Sequence, residues 1–288
     1  MNSYYIPDPN TPIVNKVICL LLGVVFIFFL AFVHGIITAI NPIIYLGIVA
    51  TIGFGLVFGI GYRILSKIAK VRDRKFITYS AAALILLGMY FSWSAYLGYL
   101  LVEFDHIFSL YLNSFGGLIN IGVYSEIIMS LLEEGAWEVF DIPVSGVILG
   151  IIWLAELAIV VYVAFKILRA YKPGPFDERF NKWYTKYGLL DEFQSLGMKK
   201  GFAEIEGANV SEKIKNLDKG RSTRFGRISI FYMEHAQQGY LLYENMGRDS
   251  KGKKIEAITI IDYLSISTAE AKKIIDNHHG KKEFYFEY

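Results

Sequence analysis

Glu156 is the side chain whose chemistry most needs an explanation, because it lies within an apolar stretch of the sequence. It is ten residues from Gly146 and ten from Lys166, so a helix rising about 1.5 Å per residue would place it near the middle of a bilayer. An ionised carboxylate is costly at that depth, so the acid must be protonated or face the interior of a helix bundle. The hydroxyl groups of the preceding apolar segment are candidate hydrogen-bond partners: Ser80, Tyr90, Ser92, Ser94 and Tyr96.

Three roles for Glu156 are open on this evidence. An acid inside a membrane can carry protons or cations. A neutral, hydrogen-bonded acid can instead fix the packing of helices, or it can contact a partner. A conducting path usually needs several polar groups, and residues 17–65 offer little beyond His34, Thr38 and Thr51.

A second group of acids lies in residues 103–144, which contain seven Asp and Glu and no Lys or Arg. From Tyr124 onward, apolar residues up to Val139 recur at helical steps, which predicts a helix in the outer membrane interface with Trp137 at headgroup depth. The polar side of this helix forms an outer acidic surface: Glu126, Glu133, Glu134 and Glu138. This surface could attract cations, hold a divalent metal together with His106, or bind another protein.

The sequence contains no glycine-rich phosphate loop, nucleophile elbow or two-histidine metal motif. The single cysteine, Cys19, excludes an intramolecular disulfide and a cysteine-based zinc site. His278 and His279 follow a predicted helix, where the helix dipole favours histidine, and a metal role is the alternative. We therefore expect no catalytic residues, no metal and no cofactor.

Four apolar segments are long enough to cross a membrane core of about 30 Å, which takes about 20 helical residues. They are residues 17–40, 43–65, 77–102 and 146–168, within a transmembrane domain of residues 1–171. The chain is 54% hydrophobic with a mean hydropathy of +0.39, which is high for a soluble protein. The Asn41-Pro42 pair predicts a tight turn between the first two spans.

The distribution of Lys and Arg predicts the orientation of these spans. None occurs between residues 17 and 62 or between residues 76 and 165. The basic stretch after the second span is expected to face lipid headgroups on the cytoplasmic side: Lys67, Lys70, Arg72, Arg74 and Lys75. Both termini and this basic stretch are therefore predicted to be cytoplasmic.

Small residues at intervals of four define a packing face on the second span: Gly47, Thr51, Gly55 and Gly59. Such a face lets another helix backbone approach closely. We expect it to pack against the first or third span, with a glycine-lined pore or a hinge as the alternatives.

Residues 172–288 are predicted to form a small cytoplasmic α+β domain after the helix-stopping Pro173 and Pro175. The predicted elements are a short helix over 176–187, strands over 202–206, 227–234, 239–245 and 255–266, a helix from Ser267 to Asn277 with a Ser267–Glu270 capping box, and a strand over 283–288. A basic group could touch anionic lipids or simply be solvated: Lys213, Lys215, Lys219, Arg221, Arg224 and Arg227.

Several short stretches, taken in order, resemble a group of uncharacterised bacterial four-span inner-membrane proteins. They are Asn41-Pro42, Ile52-Gly53-Phe54-Gly55, Lys70-Val71-Arg72, Tyr90-Phe91-Ser92-Trp93 and Trp153-Leu154-Ala155-Glu156. The resemblance implies a bacterial inner-membrane location and supplies no activity. Members of the group often continue with a Pro-Phe-Cys-x-x-Cys metal knuckle, but Asp177 and Phe180 occupy the cysteine places here, so zinc is not implied.

These features together favour a non-enzymatic integral membrane protein that is a homo-oligomer or a subunit of a membrane complex. Its cytoplasmic domain would bind a partner as a scaffold or sensor component. The alternative is an oligomeric ion or proton channel, or a pore-forming effector, that uses Glu156. The lipid bilayer is an expected partner, and no long basic run suggests nucleic acid.

Overall fold

The computed structural model describes residues 4–8, 10–41, 44–101, 106, 108–109, 111–113, 121–135, 137–139, 142–170, 174–197, 205, 207, 209–221, 223–248 and 254–283. The chain divides into two compact units. One, the helical unit, spans Asp8–Lys172, and the other, the sheet unit, combines Met1–Pro7 with Pro173–Tyr288. Residues 1–7, which we had assigned to the transmembrane domain, therefore belong with the C-terminal part of the chain.

Four long helices dominate the helical unit, as the apolar segments predicted. They are α1 (Ile13–Ile40), α2 (Ile44–Ile68), α3 (Arg74–Leu101) and α5 (Gly146–Ala170). All four are long and apolar enough to cross a membrane. Their inward faces form a common core that includes Ile27, Phe58 and Phe91, while Val25, Leu86 and Leu154 are among the large apolar residues left exposed.

Helices α1 and α3 approach each other closely at Gly35. A Cβ atom on Gly35 would overlap the carbonyl oxygen of Ser92 and lie 2.7 Å from the Cβ of Ala95. A larger residue would force the two backbones apart, so the absence of a side chain is what permits this contact.

The packing face of α2 meets a different helix from the one predicted. Gly55 and Gly59 pack against α5, where their nearest neighbours include Val160, Ala164 and Ile167, instead of against the first or third span. Thr51 donates a hydrogen bond to the carbonyl of Gly47 (2.9 Å). Small-residue spacing shows that a close approach is possible, but it carries no information about which helix makes it.

The turn between α2 and α3 is tied to the start of α1. The Lys16 ammonium lies 2.6 Å from the Asp73 carboxylate, and Asp73 also accepts a hydrogen bond from the Phe76 N–H (3.0 Å) as the N-cap of α3. Thr11 accepts a hydrogen bond from the Arg72 N–H (3.0 Å). Arg72 is buried, with 3% of its surface exposed, so it does not face lipid headgroups as we had expected.

Helix α4 (Ile121–Glu134) confirms the helix expected between the third and fourth spans, but it is shorter than predicted. It ends at Gly135, whose φ of 95° is a conformation that glycine adopts readily. Trp137 and Val139 lie in strand β1 (Trp137–Val139), which pairs with β2 (Ile142–Val144). The helical assignment of these two residues was therefore wrong, because their apolar spacing fits a strand as well as a helix.

A five-stranded antiparallel sheet forms the centre of the sheet unit. Its strands are β5 (Thr185–Gly188), β6 (Arg224–Tyr232), β7 (Gln238–Arg248), β8 (Lys254–Ser267) and β9 (Lys281–Glu283), in the spatial order β8-β7-β6-β5-β9. The three predicted strands over 227–234, 239–245 and 255–266 are confirmed as β6, β7 and β8. The final strand begins two residues earlier than predicted, and residues 284–288 lie outside the described part of the chain.

Among the described residues, two helices with defined bounds accompany the sheet: α6 (Val210–Lys215), which was not predicted, and α7 (Thr268–Asn277), which was. The capping box is confirmed, since the Ser267 hydroxyl accepts a hydrogen bond from the Glu270 N–H at 3.2 Å. Helix α7 packs through Ala271 and Ile274 into the main core of this unit, which includes Ile228 and Leu241.

The predicted helix over residues 176–187 is wrong. This segment forms the hairpin of β3 (Phe176–Asp177) and β4 (Lys182–Trp183), followed by β5. The Asp177 carboxylate accepts hydrogen bonds from the N–H groups of Arg179 (2.9 Å) and Phe180 (3.2 Å), and Asn181 has a φ of 50°. This local turn replaces the backbone hydrogen bonds of a helix, so the segment is not helical although its aromatic residues have helical spacing. Of the strand suggested over 202–206, the structure describes Ile205, which is buried and helical, so the strand is wrong at that residue.

The N-terminal segment adds to the free edge of the sheet at β8. Tyr4 bridges Leu264, and the Tyr5 N–H donates to the Tyr263 carbonyl (3.0 Å). The Tyr5 ring packs edge-on against Tyr240 and Tyr263, at centroid distances of 5.2 and 6.2 Å. Nothing in the sequence pattern had suggested this docking.

Candidate functional site

The polar side chains inside the helical unit pair with one another. The Nδ1 atom of His34 lies 2.7 Å from the Ser92 hydroxyl, and the imidazole ring packs on Phe54 at a centroid distance of 4.7 Å. Nearer the α2–α3 turn, the Tyr62 and Ser80 hydroxyls are 2.6 Å apart, and the Cys19 thiol donates to Tyr62 (3.7 Å). Each pair joins two helices, which is the arrangement expected of polar groups that fix packing.

Glu156 is half-buried on α5. Tyr96, one of the five predicted partners, lies within electrostatic range of the Glu156 carboxylate. Trp93 of α3 and Trp153 of α5 meet edge-on at 4.0 Å, so an aromatic pair joins these two helices.

Three other hydroxyls that we had considered for Glu156 are engaged elsewhere. Ser80 bonds with Tyr62 and Ser92 with His34, and Ser94 donates to the Tyr90 carbonyl at 3.0 Å. The structure therefore does not assemble these three hydroxyl groups around Glu156.

The outer acidic surface is divided between two elements. Glu126, Glu133 and Glu134 are exposed on α4, whereas Glu138 belongs to β1. In the part of the chain that the structure describes, no group of three or more His, Cys, Asp or Glu side chains is arranged to hold a metal. His278 bonds through Nδ1 to the Asp191 carboxylate at 2.6 Å, and His279 is exposed.

The basic stretch after the second span is also heterogeneous. Arg74 and Lys75 are exposed, while Lys67 and Lys70 are half-buried.

Burial of Asp73 opposes ionisation, but hydrogen bonds from Lys16 and from the Phe76 N–H outweigh it and hold the pKa of this carboxyl below its usual value of 3.8.

A cavity of about 700 Å³ lies in the sheet unit, and it is the main candidate site. Its cationic wall consists of Lys219, Arg221 and Arg224, with Asp218 beside them. Its apolar floor consists of Leu196, Ile258 and Ile260, and Met246 also contributes to the lining. Gln194, Ser195 and Asn245 add polar groups, and Gly197 and Gly247 complete the lining.

Backbone hydrogen bonds hold the cationic wall in place. Arg221 and Arg224 exchange N–H to carbonyl bonds of 2.9 and 3.1 Å, which close a tight turn at the start of β6. Their side chains are not needed for this turn, so both guanidinium groups project from a fixed backbone.

Residues 194–197 adjoin the cationic wall, since the Gln194 N–H donates to the Asp218 carbonyl at 2.8 Å and Phe193 bridges Lys219. Residues 194–197 are also held onto the sheet by β7. The Asn245 amide accepts a hydrogen bond from the Leu196 N–H (3.1 Å) and donates to the Leu196 carbonyl (2.6 Å). The Tyr243 hydroxyl donates to the Gln194 carbonyl. That hydroxyl lies against Gly226, where an added Cβ would overlap it.

The ion pairs of the described residues do not include the cations of the cavity. Lys219, Arg221 and Arg224 are exposed and form no ion pair with the described residues. By contrast, Lys186 pairs with Glu283 at 2.8 Å, and Arg227 pairs with the same carboxylate. The predicted basic group is thus divided, since Arg227 is structural and three other members line the cavity.

The pattern of basic residues predicted the three cations of the cavity, but nothing in the sequence indicated the hydrogen bonds of Tyr243 and Asn245 to residues 194–197. Tyr243 and Asn245 are two residues apart on β7 and therefore face the same side of the sheet. Alternating polar residues on a strand are ordinarily read as a solvated face, so this spacing did not single them out.

A separate cluster of tyrosines lies under the docked N-terminus. The Tyr184 hydroxyl donates to the Asp177 carboxylate at 3.2 Å, and its ring meets Tyr240 edge-on at 5.2 Å. Burial, the neighbouring Tyr240 phenol and the Asp177 carboxylate together raise the pKa of Tyr184 well above its usual value. Burial and Asp177 likewise raise the pKa of Tyr240, so both phenols stay protonated at neutral pH.

Comparison with known proteins identifies no relative: no family model, no curated protein and no solved structure matches this chain. The function must therefore be inferred from the residues that each unit brings together.

Proposed function

We propose that this chain is a four-span integral protein of the bacterial inner membrane whose C-terminal domain faces the cytoplasm and binds a partner. In this role it is a non-enzymatic scaffold or sensor component, working as a homo-oligomer or as a subunit of a membrane complex. The observation that carries the binding role is the open cavity of the sheet unit, with three cations unpaired among the described residues.

Membrane insertion is supported by the outward surfaces of the four long helices. Val147, Ile151 and Leu154 of α5 are 80%, 60% and 67% exposed, although all three are strongly apolar. A contiguous apolar surface of this kind is unfavourable in water and favourable in lipid.

Two observations support cytoplasmic termini. The N-terminal residues 4 and 5 dock on the sheet of the C-terminal unit, as expected when an even number of spans separates them. The exposed Arg74 and Lys75 lie in the connection between α2 and α3, and basic connections favour the cytoplasmic side.

Single-cysteine labelling tests the orientation. In a Cys19→Ser background, we compare Glu134→Cys with Lys272→Cys, because both wild-type residues are exposed in the structure. A membrane-impermeant maleimide added to intact cells should label the first and spare the second, and inverted vesicles should give the opposite result. Labelling of Lys272→Cys in intact cells would remove the proposed orientation.

Native mass spectrometry of the protein in lipid nanodiscs tests the scaffold or sensor role. We expect several copies of the chain, or a second protein in fixed stoichiometry. A monomer that copurifies with nothing and turns over a substrate would contradict the proposal.

The second candidate, an oligomeric channel, is favoured by the exposure of α5. Only 17% of the apolar window of this helix is buried, the smallest share of the four, and it carries Glu156. Ion flux into liposomes that is lost in Glu156→Gln would select the channel. Equal or absent flux in wild type and variant would leave the packing role, which the internal pairing of His34 with Ser92 and of Tyr62 with Ser80 also supports.

A further inference from the structure

The cavity of the sheet unit combines two surfaces with different chemistry. One wall carries Lys219, Arg221 and Arg224, and the floor is apolar, with Ile258 still 43% exposed. A ligand that satisfies both surfaces must carry negative charge at one end and apolar area at the other.

The charged wall favours a doubly charged phosphate over a singly charged carboxylate. Three cations in one wall repel one another, and with Asp218 the only acid in the described lining, the wall keeps an excess of positive charge. Guanidinium groups present paired N–H donors that match two oxygens of a phosphate, and Arg221 and Arg224 lie three residues apart across a fixed turn.

The volume of the cavity excludes a bare ion as its natural occupant. About 700 Å³ is within the range of pockets that hold organic ligands, about 300–1,000 Å³. An inorganic phosphate would occupy the charged wall and leave the apolar floor in contact with water.

We propose that this cavity binds an organic phosphate, with the phosphate on Lys219, Arg221 and Arg224 and the apolar moiety on Leu196, Ile258 and Ile260. The inference deepens the proposed function and rests on it, because it names the ligand that the C-terminal domain would sense. The phosphate could belong to a small soluble molecule or to the headgroup of an anionic phospholipid.

Calorimetric titration of the full-length protein in phosphatidylcholine nanodiscs tests this assignment. Phenyl phosphate should bind more tightly than inorganic phosphate, and phenol should not bind. The double variant Arg221→Gln/Arg224→Gln should weaken phenyl phosphate binding by about a hundredfold, because it removes two charge-assisted contacts that are each worth about tenfold in affinity.

Two further variants separate a built site from general surface charge. Lys272→Gln/Lys273→Gln removes the same charge from an exposed face of α7 outside the cavity and should leave binding unchanged. Gly247→Val places a side chain where nothing lies within 4 Å, so it should be tolerated and should weaken phenyl phosphate more than inorganic phosphate. Equal loss in both double variants, or wild-type binding in Arg221→Gln/Arg224→Gln, would overturn the proposal.

Nanodiscs of equal phosphatidylcholine and phosphatidylglycerol identify the source of the phosphate. If the natural ligand is a lipid headgroup, phosphatidylglycerol should compete with phenyl phosphate, both in the wild type and in Lys272→Gln/Lys273→Gln. If the natural ligand is a soluble molecule, phosphatidylglycerol should not compete in either protein. Both results support the site, and absence of binding by either phosphate probe in pure phosphatidylcholine would refute it.

The phosphate site and the scaffold role can fail independently of each other. A protein that binds phenyl phosphate but is monomeric and has no partner would lose the scaffold role and keep the site. A protein that assembles but binds neither phosphate probe would lose the site and keep the scaffold role.

Discussion

Replacing Gly35 by alanine should destabilise the helical unit. A Cβ atom there would overlap the backbone carbonyl of Ser92 and crowd Ala95, so α1 and α3 would have to separate. The separation would also stretch the 2.7 Å hydrogen bond between His34 and Ser92, because both residues flank this contact.

The size of the effect follows from two opposing contributions. Overpacking of a buried contact costs about 1–3 kcal/mol, and the upper half of this range applies because a backbone oxygen of α3 cannot rotate away. Alanine is more favourable than glycine within a helix by about 1 kcal/mol. We therefore expect Gly35→Ala to lower the free energy of unfolding by about 1–2 kcal/mol.

Gly53→Ala is the matched control, since a Cβ atom on Gly53 meets nothing within 4 Å. Both variants gain the same helical preference, so the difference between them isolates the steric cost. Thermal unfolding of the full chain in nanodiscs, followed by the helical circular dichroism signal, should separate them by several degrees, given about 2–4 °C per kcal/mol for a domain of this size.

A Gly35→Ala protein that melts with or above Gly53→Ala would refute the close approach of α1 and α3. Nitrogen NMR of labelled histidine provides a second readout. The His34 Nδ1 resonance should shift in Gly35→Ala and stay in place in Gly53→Ala.

Three further predictions concern single contacts. Asp73→Ala removes the cap of α3 and the Lys16 ion pair and should cost about 1–2 kcal/mol, and Asp73→Asn, which can still cap, should cost less. Because the folded pKa of Asp73 is lowered, its stabilisation is complete above the usual value of 3.8 and is lost as the pH falls through the lowered value, so melting curves of Asp73→Asn should be less acid-sensitive than those of the wild type. Asn245→Ala leaves the N–H and carbonyl of Leu196 without their side-chain partner; it should cost about 1–3 kcal/mol and speed hydrogen exchange at Leu196, while exposed Gln237→Ala should do neither. Tyr5→Ala removes two ring contacts and the acceptor of the Phe176 N–H and should destabilise the sheet unit by about 2–3 kcal/mol, with Tyr5→Phe milder.

Each of these predictions has a clear contrary result. Equal acid sensitivity of wild type and Asp73→Asn would show that the carboxylate is not stabilised by Lys16. Unchanged hydrogen exchange at Leu196 in Asn245→Ala would show that Asn245 does not hold the Leu196 backbone. An unaffected melting curve for Tyr5→Ala would show that the N-terminal segment does not dock on β8.

Local patterns were sufficient to predict the long helices, the central strands and the helix α7. An apolar run of about 20 residues satisfies its own backbone hydrogen bonds as a helix, so its ends follow from the sequence to within a few residues. The Ser267–Glu270 capping box is likewise a contact within one turn, and a β-branched run such as 255–266 favours a strand wherever it lies.

Local patterns failed where two readings of one spacing were possible. The aromatic residues of 176–187 have helical spacing, but the Asp177 turn holds this segment as strands. Trp137 and Val139 continue the apolar spacing of α4, although Gly135 has already ended it.

The sequence by itself determined which residues carry charge, which segments are apolar enough to cross a membrane, and that Glu156 lies deep within one of them. Only the tertiary structure decided that α5 packs on the small-residue face of α2, and that the hydroxyls of Ser80 and Ser92 bond with Tyr62 and His34. Only the tertiary structure brought Lys219, Arg221 and Arg224 to Leu196 and the apolar positions of β8. The physical reason is range: helices, caps and hydropathy depend on neighbours in sequence, whereas a cavity depends on segments that meet only after the sheet has formed.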